Sequence, residues 1–471
     1  MGTVATSYLS KTLQASNRKT WTFSTWCKIP CNIADDQVLF ANSYSASSAN
    51  FFFMGIDNTY KVRVQGYTSG AQKINLTSDV ALIDPSSWYH LVFRCDTTQG
   101  TAANRFRIYI NNKLIEKFTS NTLPDQNQDL GLNMNVDHRI GQFAGLNRNF
   151  YGLLGHTHFA DGQTLAPTVF GEVDTPTGEW KPKLTPTVTY GTNGFFLKYE
   201  NASNFGLDSS GQSNNMATSG TFRQDTDTPS NNFQMLDRNK AFSVALIDHS
   251  GTSLLGTEDT AYGAFSTMYF ITGKWYAEFK CESANTGGDR VTIGIVKNGT
   301  HANLRWLNQG ASAIVGKETA SIGCEGISYQ PMVGTPNLID DGGGGTVNYG
   351  VQASANDIIM MALDLSGTSG KIWFGKNGTW FNAPGGSSVG NPATGANAGL
   401  TFAKGDEFWG LALTAADQSS DKYIHCNFGR GCFGTTAVSS GNADGNSQGI
   451  FEYAVPSGFY AMCTKNLKDY G

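Results

Sequence analysis

The sequence predicts an all-β protein of two tandem β-sandwiches, and three observations point there. Apolar residues recur with a period of two in many short runs, and long amphipathic helical runs are missing. The composition favours strands and turns, with 55 Gly, 29 Phe, 18 Tyr and 9 Trp against only 15% charged residues. A chain of 471 residues is too long for a single compact core, and two large domains account for it most economically.

The elements of the first half follow in order. In WTFSTWCKI, residues Trp21, Phe23, Thr25, Cys27 and Ile29 share one face while Thr22, Ser24, Trp26 and Lys28 share the other. Trp26 is the odd residue there. It is read either as a stacking platform for a sugar ring or as a residue under a covering loop; the covered reading is preferred, and Trp26 is kept as a candidate binding residue. WYHLVFRC is the next strand. In RFRIYINNKLIEKF, Phe106, Ile108 and Ile110 alternate with Arg107 and Tyr109, and the pair Asn111-Asn112 tolerates positive φ, so the run predicts a hairpin. FYGLLGHTHFADG alternates again and ends in a turn. The aromatics of TYGTNGFFLKYE suit a strand returning to the first sandwich.

Between Asn201 and Asn232 the chain is mostly Asn, Ser, Gly, Thr, Asp and Gln, which offer little to bury. The first domain is therefore placed at 1–205, a linker at 206–232 and the second domain at 233–471. Asp208-Ser209-Ser210-Gly211 is read as an Asx turn; an oxygen-rich loop of this kind also suits Ca2+, the one cofactor the sequence suggests.

In the second half, Trp275, Ala277, Phe279 and Cys281 oppose Lys274, Tyr276, Glu278 and Lys280 in one strand. VTIGIV, DIIMMALDL, GKIWFGKNGTWF, EFWGLALTA and KYIHCNFG follow as further strands, with Asn298-Gly299 and Asn377-Gly378 as turns. The segment Gly326 to Val351, with Tyr329, Asp340, Asp341 and four glycines from Gly342 to Gly345, is read as a long flexible loop. It is taken either as a lip around a ligand or neighbouring subunit or as a plain surface loop. Trp306 is either a surface anchor or a core plug. Candidate ligand- or partner-binding residues are thus Trp26, Trp306, Tyr329, Asp340 and Asp341.

Several function classes fall away. A formal charge of −5 and a pI near 5.8 offer no basic surface for nucleic acid. No apolar run approaches the roughly 20 residues that cross a bilayer, and MGTVATSYLSKT does not resemble a secretion signal, so no membrane insertion is expected. Eight cysteines are sparse, and free thiols are expected; neither Cys27 with Cys31 nor Cys426 with Cys432 has the partner pair of a zinc site. Glu172, Asp174 and Glu179 lack the even spacing that puts carboxylates on one strand face, and Pro176 and Gly178 mark a turn. His156 and His158 share a strand face with no third ligand at a recognisable spacing, and a polar face explains them better than a metal. No nucleophile elbow and no phosphate-binding lysine motif is present, so no enzyme activity is expected.

Taken in order, WTFSTWCKIP, WYHLVFRCDTTQ, RFRIYINNKLI, HRIGQF and FYGLLGHTHFADGQTLAPTVFGE resemble the laminin-G-like, concanavalin A-like jelly-roll module over about residues 6–205. The order GKWYAEF, NDIIMMALDLSGTSGKIWFGKNGTW, FWGLAL and YIHCNFG resembles a SPRY domain, another concanavalin-like sandwich, over about 233–463. HFADGQTLAPTVFGE, GEWKPK, TYGTNGFFLKYENASNFGLDSSGQSNN, DTPSNNF and FEYAVPSGFYAMCTKNL are similar to a set of bacteriophage proteins common in marine viruses. That resemblance implies a virion structural protein, assembled in the host cytoplasm and docked on other virion proteins as a homo-oligomer. Lacking coiled-coil or β-helical repeats, it would be a short fibre or a knob on head or tail. Adhesion to a host-surface glycan or other envelope component is the function expected. A decoration protein bracing the capsid or tail is the alternative, and a polysaccharide depolymerase the second.

Overall fold

A computed structural model describes residues 7–471 apart from 31–32, 43–48, 145–147, 176–177, 242–246, 249–250, 257–261, 283–289, 299–325, 332–335, 341–344 and 417–421. The chain divides into two compact units, one of residues 1–224 with 228–230 and one of 225–227 with 231–471. Each is a β-sandwich, and among the described residues the one α-helix is Thr464–Tyr470.

The first unit packs an eight-stranded sheet on a six-stranded one. The larger runs Phe118–Thr122, Ala71–Ala81, Lys61–Thr68, Phe51–Ile56, Gln37–Asn42, Asp137–Ile140, Tyr8–Thr12, Ala217–Ser219. The smaller runs Phe195–Leu197, Leu153–Asp161, Thr20–Lys28, Trp88–Asp96, Phe106–Ile110, Lys113–Leu114. The period of two decides which side chains meet between the sheets. Trp21 meets Phe52 edge-on at 5.7 Å, and Phe23 stacks on Phe40 at 5.0 Å. Asn111 and Asn112 take φ of 47° and 66° and close the hairpin into Lys113–Leu114, as the sequence leads one to expect. Phe195–Leu197 does return to this unit and pairs with Leu153–Asp161. The stretch 206–232 is not a free linker along its length, because Ala217–Ser219 pairs with Tyr8–Thr12 as an edge strand of the larger sheet.

The second unit packs sheets of seven and nine strands. Trp275 lies 4.2 Å from Phe270, and Tyr329 stacks on Phe374 at 5.1 Å, each pair joining one sheet to the other. The segment read as a flexible loop between Gly326 and Val351 instead carries three strands, Gly326–Gln330, Asn337–Asp340 and Gly345–Asn348. They form a meander at the edge of the seven-stranded sheet. The physical reason is burial: Ile327, Tyr329 and Leu338 are at most 2% exposed, which the neighbouring glycines and aspartates mask in the composition. Asn377 and Gly378, with φ of 48° and 86°, turn Gly370–Lys376 into Thr379–Trp380, whereas Gly299 of the other Asn-Gly pair lies outside the described residues.

In each unit the second face of one sheet is covered as well. In the first, Gly162 to Tyr190 folds back over the smaller sheet as a flap containing the hairpin Gly171–Val173 with Trp180–Pro182. In the second, the chain from Asp444 to Cys463 lies on Lys274–Cys281, so that Tyr276 packs with Phe451, Phe459 and Cys463. Cys27, Cys95, Cys281, Cys426, Cys432 and Cys463 are buried free thiols; Cys31 and Cys324 lie outside the described residues.

Candidate functional site

Of the five candidate binding residues, three fall among the described residues, and two of those are buried. Trp26 is 2% exposed and stacks on His90 at 4.7 Å with nearly parallel rings, so it is the covered residue of the two readings and not a sugar platform. Tyr329 is fully buried and its hydroxyl donates to the Val351 carbonyl at 3.0 Å, which overturns it as a ligand contact. Asp340 ends the strand next to the sheet edge, its backbone paired in register with Ile327 on one side and Gly345 on the other. Trp306 and Asp341 lie outside the described residues.

The histidines of the first unit are structural. The Trp180 indole N–H donates to His90 Nδ1 at 3.1 Å, which puts the ring proton on Nε2, facing Ser24 Oγ at 2.8 Å. Desolvation pushes the His90 pKa down to about 3, so the ring is neutral at physiological pH. His158 lies under the flap, stacked 3.9 Å from Phe196 and bonded through Nδ1 to the Tyr190 hydroxyl at 2.9 Å; burial holds its pKa well below the usual histidine value. His156 sits at a β-bulge with φ of 45° and meets the edge of Phe196. Among the described residues no three His, Cys, Asp or Glu side chains come together as a metal site.

The acidic candidates form the expected turn. Asp174 accepts from Lys181 Nζ at 2.6 Å, and its backbone N–H closes on Glu179 across the flap hairpin. Asp208 spends its carboxylate on its own turn and on the strand Phe195–Leu197, accepting from the N–H groups of Ser210, Asn214 and Phe196 and from the Ser210 hydroxyl.

The second unit contains a hydrogen-bonded chain that sequence spacing did not show. Ser253 Oγ lies 2.7 Å from His425 Nδ1, and His425 Nε2 lies 2.9 Å from Glu282 Oε1. The order resembles a nucleophile, base and acid, but Ser253 is fully buried and pairs directly with His425 across adjacent strands. The three groups tie neighbouring strands together.

Open polar surface gathers instead at a cleft of about 380 Å³ in the first unit, lined by Lys198, Tyr199, Glu200, Asn201, Ala202, Asn204, Leu207, Ser209 and Gln224. Strand Phe195–Leu197 delivers its first residues. Tyr199, at φ of 62°, then turns inward, and its hydroxyl donates to Thr157 Oγ1 at 2.8 Å, which frees Lys198 and Glu200 to face outward, their charged ends 4.0 Å apart. Successive backbone turns shape the far wall, where Asn204 N–H donates to the Asn201 carbonyl and Leu207 N–H to that of Asn204. Gln224 closes it by donating from Nε2 to the Glu200 carbonyl at 3.0 Å. The result is one cation, one anion, three side-chain amides and a hydroxyl around an exposed leucine. Such a set gives and receives hydrogen bonds in many directions. These residues were missed because most of them fall in the amide-rich stretch read as a domain join; its density of Asn and Gln just after Lys198 and Glu200 was the available signal.

A search of curated protein sequences found no match. Residues 3–166 match a laminin G family model described as the concanavalin A-like lectin/glucanases superfamily. Among solved structures, the SPRY domain of human HERC1 aligns at 14% identity over 41% of this chain and 96% of that one, with a TM-score of 0.26. The heptameric SAP-like pentraxin of Limulus polyphemus aligns at 12% identity over 36% and 75%, TM-score 0.26. Domains LG4-5 of the mouse laminin alpha1 chain align at 9% identity over 90% and 86%, TM-score 0.28. The two-sandwich fold therefore rests on the sheets themselves, and within the first half of the chain residues 3–166 are similar in sequence to the laminin G, concanavalin A-like family.

Proposed function

We propose that this chain is a non-enzymatic carbohydrate-binding adhesion protein carried on a virion, and that the cleft from Lys198 to Gln224 holds the glycan. One observation carries the reading: a lectin-type sandwich bears a cleft whose lining is amide, hydroxyl and paired charge around Leu207, the donor and acceptor mixture that ring hydroxyls require. The particle-borne role is supported by the resemblance of HFADGQTLAPTVFGE, GEWKPK and FEYAVPSGFYAMCTKNL to bacteriophage proteins. The same resemblance covers TYGTNGFFLKYENASNFGLDSSGQSNN, the segment that builds most of the cleft. Single sites of this kind are weak, and copy number on a particle would raise the avidity.

The test is binding of labelled, multivalently displayed full-length protein to intact host and non-host cells, before and after the surface polysaccharide is stripped. Saturable, host-selective binding that is lost on stripping supports the reading, and release of reducing ends from the polysaccharide would replace it with a depolymerase. Binding to purified virions with none to cells would replace it with a decoration protein.

A further inference from the structure

A second cavity, of about 150 Å³, lies on the outer face of the smaller sheet of the first unit and is lined by Arg94, Asp96, Gln99, Asn104, Arg107 and Thr164. That volume is about what one six-membered ring or a small polyatomic ion occupies. Arg94 and Arg107 stand directly opposite each other on adjacent antiparallel strands, Trp88–Asp96 and Phe106–Ile110. Like charges in that register destabilise a sheet unless something lies between or beside them to compensate.

Part of the compensation is visible. Arg94 Nη1 donates to the Tyr109 hydroxyl at 3.1 Å, its guanidinium carbon lies 5.9 Å from the Tyr109 ring centre, and Arg107 Nη2 donates to Asn104 Oδ1. Asp96 supplies one negative charge. Desolvation raises its pKa, but hydrogen bonds from the Thr98 and Gln99 side chains and the Thr98 N–H, together with the Arg94 charge, outweigh that and hold it below the usual carboxylate range. Two guanidinium groups therefore face one carboxylate that already accepts three other hydrogen bonds. Arg94 Nε remains buried with no hydrogen-bond partner, a costly state for a charged donor. Neighbouring Arg105 shows the contrast, since its three nitrogens donate to the carbonyls of Gln99, Gly100 and Pro124.

We infer that this cavity is a binding site for a small oxyanion, a sulfate or carboxylate group, seated between Arg94 and Arg107. Planar guanidinium forks match such groups by paired, charge-assisted hydrogen bonds, and the two forks stand opposite each other in register at the cavity. An acidic polysaccharide would bring that group to the sheet face, and so would free inorganic anion. The site is separate from the Lys198–Gln224 cleft, so either can fail without the other.

The test uses the full-length protein at low ionic strength. Thermal unfolding is followed with sodium sulfate against sodium chloride at matched ionic strength, and calorimetric titration with galactose 6-sulfate and with glucuronate. Arg107→Gln is the main variant; Arg94→Gln is the second, because Arg94 also packs on Tyr109. Sulfate should raise the unfolding temperature above the chloride control, and Arg107→Gln should weaken the anion's affinity by about tenfold or more, as loss of a charged hydrogen-bond pair does. Binding of either acidic sugar identifies a polymer-borne group, while inorganic sulfate alone identifies a free ion. Equal effects of sulfate and chloride, or unchanged affinity in both variants, overturn the inference.

Discussion

Replacing Glu278 by Gln should remove a pH dependence from the stability of the second unit. Glu278 is fully buried in strand Lys274–Cys281, where Oε1 accepts from the Tyr276 hydroxyl at 3.0 Å and the Tyr453 N–H at 2.8 Å. Oε2 accepts from the Glu452 N–H at 2.9 Å and Asn427 Nδ2 at 3.2 Å. Desolvation outweighs these four donors and pushes its pKa up to about 7, against 4.5 for the exposed group. Between those values the folded state keeps a proton that the unfolded chain has lost. The stabilisation is therefore complete below pH 4.5 and lost as pH rises toward 7. The gap corresponds to about 3 kcal/mol over that window. Gln carries no titrating proton, so Glu278→Gln should lose about 3 kcal/mol of the wild-type decline, whatever its own cost in leaving an amide opposite the Tyr453 N–H. Amide exchange in strand Lys274–Cys281 between pH 4.5 and 7, corrected for intrinsic rates, reads this unit without interference from the other. Equal slopes for wild type and variant would refute the burial argument.

Three further substitutions probe buried contacts in the two units. Arg430→Ala removes a guanidinium that is 2% exposed and bonded to both oxygens of Asp225 at 2.7 to 3.1 Å, and denaturant unfolding of the second unit should lose about 3–5 kcal/mol through the charge left behind. Trp26→Ala should destabilise the first unit by about 3–5 kcal/mol in denaturant melts while leaving glycan affinity unchanged, since the indole is a packing surface for His90 and not a ligand platform; an affinity loss without a stability loss would restore the platform reading. Tyr329→Phe deletes the donor to the Val351 carbonyl and should cost about 1 kcal/mol in the melt of the second unit, with binding to cells unaltered.

The strands were legible because period two is a local signal. Trp21, Phe23 and Cys27 fall on the core face as the alternation requires, and Asn111-Asn112 turns the chain where it should. What the pattern could not show is burial on both sides of a sheet. Thr22 and Ser24 read as an outer face but are covered by the flap from Gly162 to Tyr190, as the preferred reading of Trp26 alone suggested, and Glu278 reads as polar surface but lies under the C-terminal segment. Both coverings come from sequence-distant chain. Short strands were lost for another reason. Ala217–Ser219 has three residues and no apolar alternation, while Gly326–Gln330 places Ile327 and Tyr329 inward before glycines and aspartates dominate. The cleft was invisible because its walls are set by backbone turns and by Gln224 meeting Glu200, contacts that no spacing rule encodes.

Under the proposed function, the first sandwich binds glycan at the cleft beside Lys198 and Glu200. The most direct measurement is the affinity of full-length protein for purified host-surface polysaccharide, compared with a Glu200→Gln and Asn204→Ala double variant. Both side chains line the open cleft, so the variant should keep the wild-type unfolding profile and lose binding by about tenfold or more, the effect of removing one charged and one neutral hydrogen-bonding group. Wild-type affinity in a folded double variant, or no binding by wild type even in multivalent form, would contradict it.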